Sequence, residues 1–433
     1  MSSDDAGLVG GLLRTLTDAA PATVLLVSIG GLHDLRHRIG WAATDGMLSE
    51  MSDRVRACAA ADDLVIQPEA GTVLVVRPSP VDVDETLGSD AGELVAAIVA
   101  ADGTPTTLLR SQLGVAVGAL GAGDDPLELL ADLAGATDDA RSRHDHVHVL
   151  HADDRASRTE ARQYRRDLPE AIADDQLRLW YQPKIDLHTA RVVGFEALAR
   201  WPDDVGRMRS PAVFVPLLEE SEAIVPFGRW AIERAVDDLA AWDRAGASPE
   251  MQVSVNLSAR QLALDDVAAV VARATANAAI DPARLTLELT ETAVLDDLIG
   301  ASTHLGALRD AGAMVSLDDF GTGFSSLSLL RRLPFDEVKI DRSFMSELGR
   351  RRGETALVEG IVSLAHRIGR RIVAEGVESV EQLSLLLEYG CDQAQGFLFS
   401  RPVPPEEAAA TAAAPDAFDA SVAAHLDDAR RER

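Results

Sequence analysis

Two adjacent carboxylates close an apolar run at Ala313-Met314-Val315-Ser316-Leu317-Asp318-Asp319-Phe320-Gly321-Thr322-Gly323. Strand alternation would send neighbouring side chains to opposite faces, so Asp318 and Asp319 share a site only where the backbone bends. Gly321 and Gly323 are the expected source of that bend. Two carboxylates that meet in an apolar setting can hold divalent cations. Among 70 Asp and Glu residues such a pair alone is weak evidence, because most acidic pairs are solvated surface or helix caps.

The elements needed to position such a site begin at about residue 176. Apolar strand-like runs recur at 178–187, 192–201, 252–258, 285–291, 314–320, 337–341, 371–377 and 394–400, with helical patterns between most of them. Eight such runs read as parallel strands covered by helices, which predicts an α/β fold of (β/α)8 type. Gly246, Gly312, Gly369 and Gly390 mark helix ends, and Trp230, Ala231, Ala235, Leu239 and Trp242 form one helical stripe.

In a barrel of this kind, polar residues at strand ends converge on one mouth. The runs carry, in or just after them, Glu196, Asn256, Glu288 with Glu291, Asp318 with Asp319, Lys339 with Asp341, Glu375 with Glu378, and Gln395. Singly, each reads as a cap, a turn or a snorkelling lysine. Jointly, burying so many acidic groups without compensation costs several kcal/mol apiece, on the order of the penalty for an unpaired charge. Divalent cations are the natural compensation, and an oxygen-rich set without His or Cys favours Mg2+ or Mn2+ over zinc. The doubled Asp pair suggests two ions sharing a ligand.

The ordered series resembles the EAL domain, the cyclic-di-GMP-specific phosphodiesterase family, over residues 176–405. Glu196-Ala197-Leu198 is the name motif, followed by Arg200-Trp201. Tyr181-Gln182-Pro183, Asn256-Leu257-Ser258-Ala259-Arg260-Gln261-Leu262, Glu288-Leu289-Thr290-Glu291, Asp318-Asp319-Phe320-Gly321, Lys339-Ile340-Asp341-Arg342-Ser343-Phe344, Ala374-Glu375-Gly376-Val377-Glu378 and Gln395-Gly396-Phe397 complete it in order. The resemblance implies that the first strand runs antiparallel to the other seven. It assigns Glu196, Asn256, Glu288 and Asp318 to a first metal, and Asp318 with Asp319 to a second. Lys339 would orient the attacking water, and Glu375 would act as base or outer metal ligand, so Lys339, Glu375 and Glu196 are the catalytic candidates. Gln182, Leu198, Arg200, Asp341, Glu378 and Gln395 are the implied substrate contacts, and Glu291 the anchor of the loop after Asp319. A homodimer through this domain is implied as well. Departures from the family pattern are Glu222 for a usual Gly, Lys184 after the Gln-Pro, and Phe324 and Phe397 where Tyr is common. The implied activity is hydrolysis of cyclic-di-GMP to linear pGpG, the alternative a non-catalytic cyclic-di-GMP receptor.

Residues 1–150 alternate strand runs (22–29, 73–76, 113–120, 147–150) with helical ones (41–59, 93–100, 126–140), an α/β or α+β pattern. Their order resembles a GGDEF domain, the diguanylate cyclase module, in framework only. Glu69-Ala70-Gly71-Thr72-Val73 stands in place of the signature, and the positions of the metal-binding and substrate-contacting residues hold Ser28, Arg36 and His37. The inhibitory-site arginine falls at Ala60, with Asp63 kept. Without carboxylates to hold ions against a triphosphate, a regulatory rather than cyclising domain is expected, and a bifunctional enzyme is disfavoured. His144, His146, His148 and His151 have period-two spacing that a metal site could use, but an exposed final strand is the plainer reading.

Residues 151–175 read as a connector helix and 406–433 as an Ala-rich acidic tail. A net charge of -29 opposes binding to duplex nucleic acid. Two distant cysteines, Cys58 and Cys391, no basic signal-peptide flank and no apolar run approaching ~18 residues predict a cytoplasmic protein without a membrane span.

Overall fold

The computed structural model describes residues 3–78, 91–92, 95–96, 98, 112–143, 145–291, 298–321, 333–350 and 352–415. The chain divides into two compact units, Met1–Arg162 and Gln163–Arg433. A helix over Ala152–Ala173 begins in the first and ends in the second.

The first unit holds a five-stranded sheet of β1 (Ala22–Ile29), β2 (Leu64–Glu69), β3 (Thr72–Arg77), β4 (Leu113–Leu120) and β5 (Val147–Val149), in the order β2-β3-β1-β4-β5. Alternation along β1 sends Leu25, Val27 and Ile29 into one core and Ala22, Val24 and Leu26 into another. The helix Trp41–Cys58 covers the first face with Met47, Leu48, Met51 and Val55, and Pro126–Ser142 covers the second with Leu129, Leu133 and Ala136. Sequence patterning misses β2 because it is a half-exposed edge strand interrupted by Pro68. It also misses the helices Ser3–Ala19 and Leu32–Ile39. Most of the helix expected over 93–100 lies outside the described residues.

The second unit is a closed barrel of eight strands: β6 (Arg178–Asp186), β7 (Arg191–Pro202), β9 (Gln252–Asn256), β10 (Leu285–Thr290), β11 (Met314–Phe320), β12 (Glu337–Ile340), β13 (Arg371–Ala374) and β14 (Gln393–Ala394). A short β8 (Met208–Arg209) hangs on β7. As the family resemblance implies, β6 is antiparallel to both its neighbours, β7 and β14, whereas the other pairings between the eight barrel strands are parallel. The run expected over 394–400 is strand only at Gln393–Ala394; the rest is turn.

Alternation divides the barrel strands into two sets. Val253, Val255, Leu285, Leu287, Leu289, Val315, Leu317, Val338 and Ile340 join the apolar core. The intervening positions are polar and still buried: Ser254, Thr286, Glu288, Ser316, Asp318, Glu337 and Lys339. The helix Ile224–Arg244 buries Ala231, Ala235, Leu239 and Trp242 as its stripe predicts. Trp230, the fifth member, is half-buried and donates its indole N–H to Asp175.

Candidate active site

Strand register assembles the polar set. Gln182 pairs with Glu196 between β6 and β7, Glu196 with Ser254 between β7 and β9, Asn256 with Glu288 between β9 and β10, and Thr290 with Asp318 between β10 and β11. Side chains from separate strands therefore meet at the C-terminal ends of β9–β12. Glu196 accepts from Asn256 Nδ2 at 2.9 Å and from Gln395 Nε2 at 2.6 Å. Gln395 Nε2 also reaches Gln182 Oε1 at 3.0 Å, and Gln182 Nε2 donates to the Ser400 carbonyl.

Lys339, fully buried on β12, brings its ammonium within 2.5 Å of Glu375, 2.7 Å of Glu288, 3.2 Å of Asp318 and 3.6 Å of Glu196. Burial opposes that charge, but the four carboxylates outweigh it and hold the lysine well above its ordinary range. Glu288 is also desolvated, yet Lys184 and Lys339 pull its carboxyl down to about 2. Asp318 goes the other way, to about 6: burial dominates and Glu288, Glu196 and Asp319 add repulsion against the attraction of Lys339. Burial and the neighbouring Asp318 and Glu196 push Glu375 up to about 8, although Lys339 opposes them.

The bend that lets Asp318 and Asp319 converge begins two residues before Gly321. Asp319 itself has φ 54°, the left-handed region, and Gly321 follows at φ 99°. Register slips between Leu317 and Phe320 against β12 at the same place. Gly323 lies outside the described residues. Asp318, Asp319 and Glu375 each bring one carboxylate oxygen to within 4.8 Å of the others. Glu291, buried on β10's end, accepts from the Gly321 amide at 3.2 Å and so ties the loop to the barrel.

Not every candidate joins this cluster. Asp341 caps the helix Arg342–Glu347 by accepting from the Ser343 amide, and after burial its negative charge is the next cause that holds the Asp319 carboxyl above its usual range. Leu198 and Arg200 line a cavity of about 470 Å³ beside Asn256 and Glu288, and Arg200 lies 5.6 Å from the Trp180 ring centroid. Glu378 is exposed in the loop after β13. Lys184, read in the sequence only as a departure, is buried within hydrogen-bond distance of Ser254 (2.6 Å) and Glu288 (2.7 Å). A lysine inside a strand, among other strands that carry Glu196, Glu288, Asp318 and Glu337, was the available signal.

Oxygen donors of this kind fit hard divalent cations. Five carboxyl groups (Glu196, Glu288, Asp318, Asp319, Glu375) face two ammonium groups (Lys184, Lys339), an excess of negative charge that cations would balance. Gln395 Oε1 is buried without a hydrogen-bond partner at the edge of the same cluster, a free acceptor for a water.

In the first unit, Ser28, the residue that the resemblance places at the cyclase aspartate's position, is bonded by Arg141 Nη2 at 3.1 Å. Glu69–Thr72 forms the turn of the β2–β3 hairpin without a second carboxylate. Asp63 pairs with Arg77 through two 3.0 Å bonds. His148 lies 3.6 Å from Asp139 and His146 is buried at φ 59°; His144 lies outside the described residues. Among the described residues no histidine enters a metal-type cluster.

A closed eight-stranded barrel with its first strand reversed and an acidic centre at its mouth defines the class of protein. The chain belongs to the EAL domain family, whose model matches residues 165–402. An uncharacterised Mycobacterium tuberculosis protein is 33% identical over 393 residues, 89% of this chain and 62% of its own length. MucR of Pseudomonas aeruginosa, a bifunctional diguanylate cyclase/cyclic di-GMP phosphodiesterase, is 31% identical over 94% of this chain and 60% of its own. The chain thus spans about three-fifths of these relatives. The solved MucR phosphodiesterase, a complex with c-di-GMP, superposes with a TM-score of 0.54 at 38% identity over 57% of this chain and 99% of that one. LapD of Vibrio cholerae, solved as an S helix-GGDEF-EAL chain, matches at a TM-score of 0.58 over 91% of this chain and 93% of that one; at 20% identity this speaks for the fold alone. No helix among the described residues is long and apolar enough to cross a membrane.

Proposed function

We propose that this protein hydrolyses cyclic-di-GMP to linear pGpG with two Mg2+ or Mn2+ ions, and that its first unit regulates rather than cyclises. The observation that carries the reading is the convergence of Glu196, Glu288, Asp318 and Glu375 around Lys339 at one barrel mouth. Glu196, Asn256, Glu288 and Asp318 would hold one ion, and Asp318 with Asp319 and Glu375 the other. When bound, such ions lower the pKa of a water and balance charge on phosphate oxygens.

The chain's own groups supply the rest. Lys339 Nζ orients the water toward phosphorus. Glu375, 2.5 Å from that ammonium, is placed to accept the water's proton. Water adds to phosphorus, the bond to the ribose 3′ oxygen breaks, and that oxygen takes up a proton. Gln395, itself bonded to Gln182, holds Glu196 in place, while Arg200 and Leu198 face the ligand from the adjoining cavity. The same reading includes a homodimer through the barrel, which sedimentation would check.

Purified protein with Mn2+ is expected to convert cyclic-di-GMP to pGpG, followed by chromatography. Tight binding without turnover, in the parent and in Glu196→Ala alike, would instead make it a receptor.

A further inference from the structure

Beneath the mouth, a file of alternating charges runs through the barrel. Arg371 Nε lies 3.0 Å from Glu337 Oε2, and Glu337 Oε1 lies 3.6 Å from Lys184 Nζ. Lys184 Nζ donates to Glu288 Oε1 at 2.7 Å and to Ser254 Oγ at 2.6 Å. Glu288 Oε2, in turn, accepts from Lys339 at 2.7 Å. Its two oxygens thus have different partners. Oε1 is gripped from the reversed strand β6, and Oε2 is turned toward the acidic cluster.

We infer that Lys184 is a positioning residue: by holding Glu288 Oε1 it presents Oε2 alone to a divalent cation at the mouth. The inference rests on the metal-site reading above and adds a residue on which that reading is silent. Orientation comes from the geometry of three strands. Ser254 of β9 fixes the ammonium, Glu337 of β12 neutralises it from below, and the ammonium fixes the carboxylate of β10. An outer partner of this kind commonly changes metal affinity or activity by about 10–100-fold when removed.

Charge and orientation oppose each other in the simplest variant. Lys184→Met removes a positive charge near the cation, which favours binding, and removes the grip on Oε1, which disfavours it. It also leaves Glu337 with one cationic partner fewer, so the fold could suffer. The double variant Lys184→Met/Glu337→Gln deletes one charge of each sign and isolates orientation. Mn2+ binding to full-length wild type, the single variant and the double variant is measured by calorimetry, with thermal unfolding of each recorded.

The expected result is a double variant that remains folded and binds Mn2+ about tenfold or more weakly than wild type. At saturating Mn2+ its KM for cyclic-di-GMP stays within twofold of wild type, a split that general loosening of the barrel would not produce. Double-variant affinity within twofold of a Mn2+-binding wild type overturns the inference and leaves the metal-site reading standing. A wild type that takes up no Mn2+ overturns both. If neither variant folds, Ser254→Ala, which frees the ammonium without a charge change, takes their place: unchanged Mn2+ affinity there overturns the inference, and weakening supports it.

Discussion

At the scale of the residue, one backbone dihedral matters as much as any charge. Asp319 adopts φ 54°, so two carboxylates adjacent in sequence share one site. Asp318→Asn keeps the shape but removes a charge that faces Lys339, and turnover should fall by at least about 100-fold, the upper end for loss of an outer metal partner. Turnover within twofold of the parent rate in a steady-state assay would contradict that role. Glu291→Ala should be milder. It removes the acceptor of the Gly321 amide and costs about 1–3 kcal/mol, so activity should weaken while Mn2+ still binds. The strand-end acids were legible because each interrupts an apolar run. The grip of Lys184 on Glu288 was not, because it joins β6 to β10 across 104 residues of chain, and strand order inside a closed barrel is not a local property.

Elements explain why these residues can be held. Along β9–β12 the apolar alternates join the core and the polar alternates gather in the interior, so one period-two pattern builds both stability and site. Sequence reading captured the barrel strands but overextended the last, since Phe397-Leu398-Phe399 is apolar enough to pass for strand and is turn. The residue that follows β11 is an exacting joint. Gly321 has φ 99°, and a Cβ there would lie 2.7 Å from Phe344 Cζ. Gly321→Ala should cost roughly 1–3 kcal/mol of strain, seen as a lower melting temperature together with reduced turnover; an unchanged melting temperature would mean that the joint tolerates a side chain. In the first unit, the Asp63–Arg77 fork closes the β2–β3 hairpin. Burial alone would raise the Asp63 carboxyl, but bonds from Arg77 and the Ala60 amide outweigh it and hold it below its usual value. The folded value is therefore below the unfolded one, roughly 3.9. Its stabilisation is present above that value and lost as pH falls through the lowered folded value. Hydrogen exchange of the hairpin amides in Asp63→Asn should lose that acid sensitivity; an acid profile identical to the parent would remove the fork from the account.

For the whole molecule, the proposed function divides the work between the two units. The first retains a five-stranded sheet with an arginine bonded to Ser28 and a bare hairpin turn, so full-length protein given GTP and Mg2+ should form no cyclic-di-GMP by chromatography. The second carries the acidic mouth, and an overall charge of -29 makes local cations the natural route for a dianionic ligand to approach. The most direct test follows cyclic-di-GMP over time with full-length protein, with Mg2+ or Mn2+ and with a chelator. The predicted result is metal-dependent accumulation of pGpG that disappears in Glu196→Ala. Persistence of intact cyclic-di-GMP in both metals, despite measurable binding, would contradict the catalytic claim.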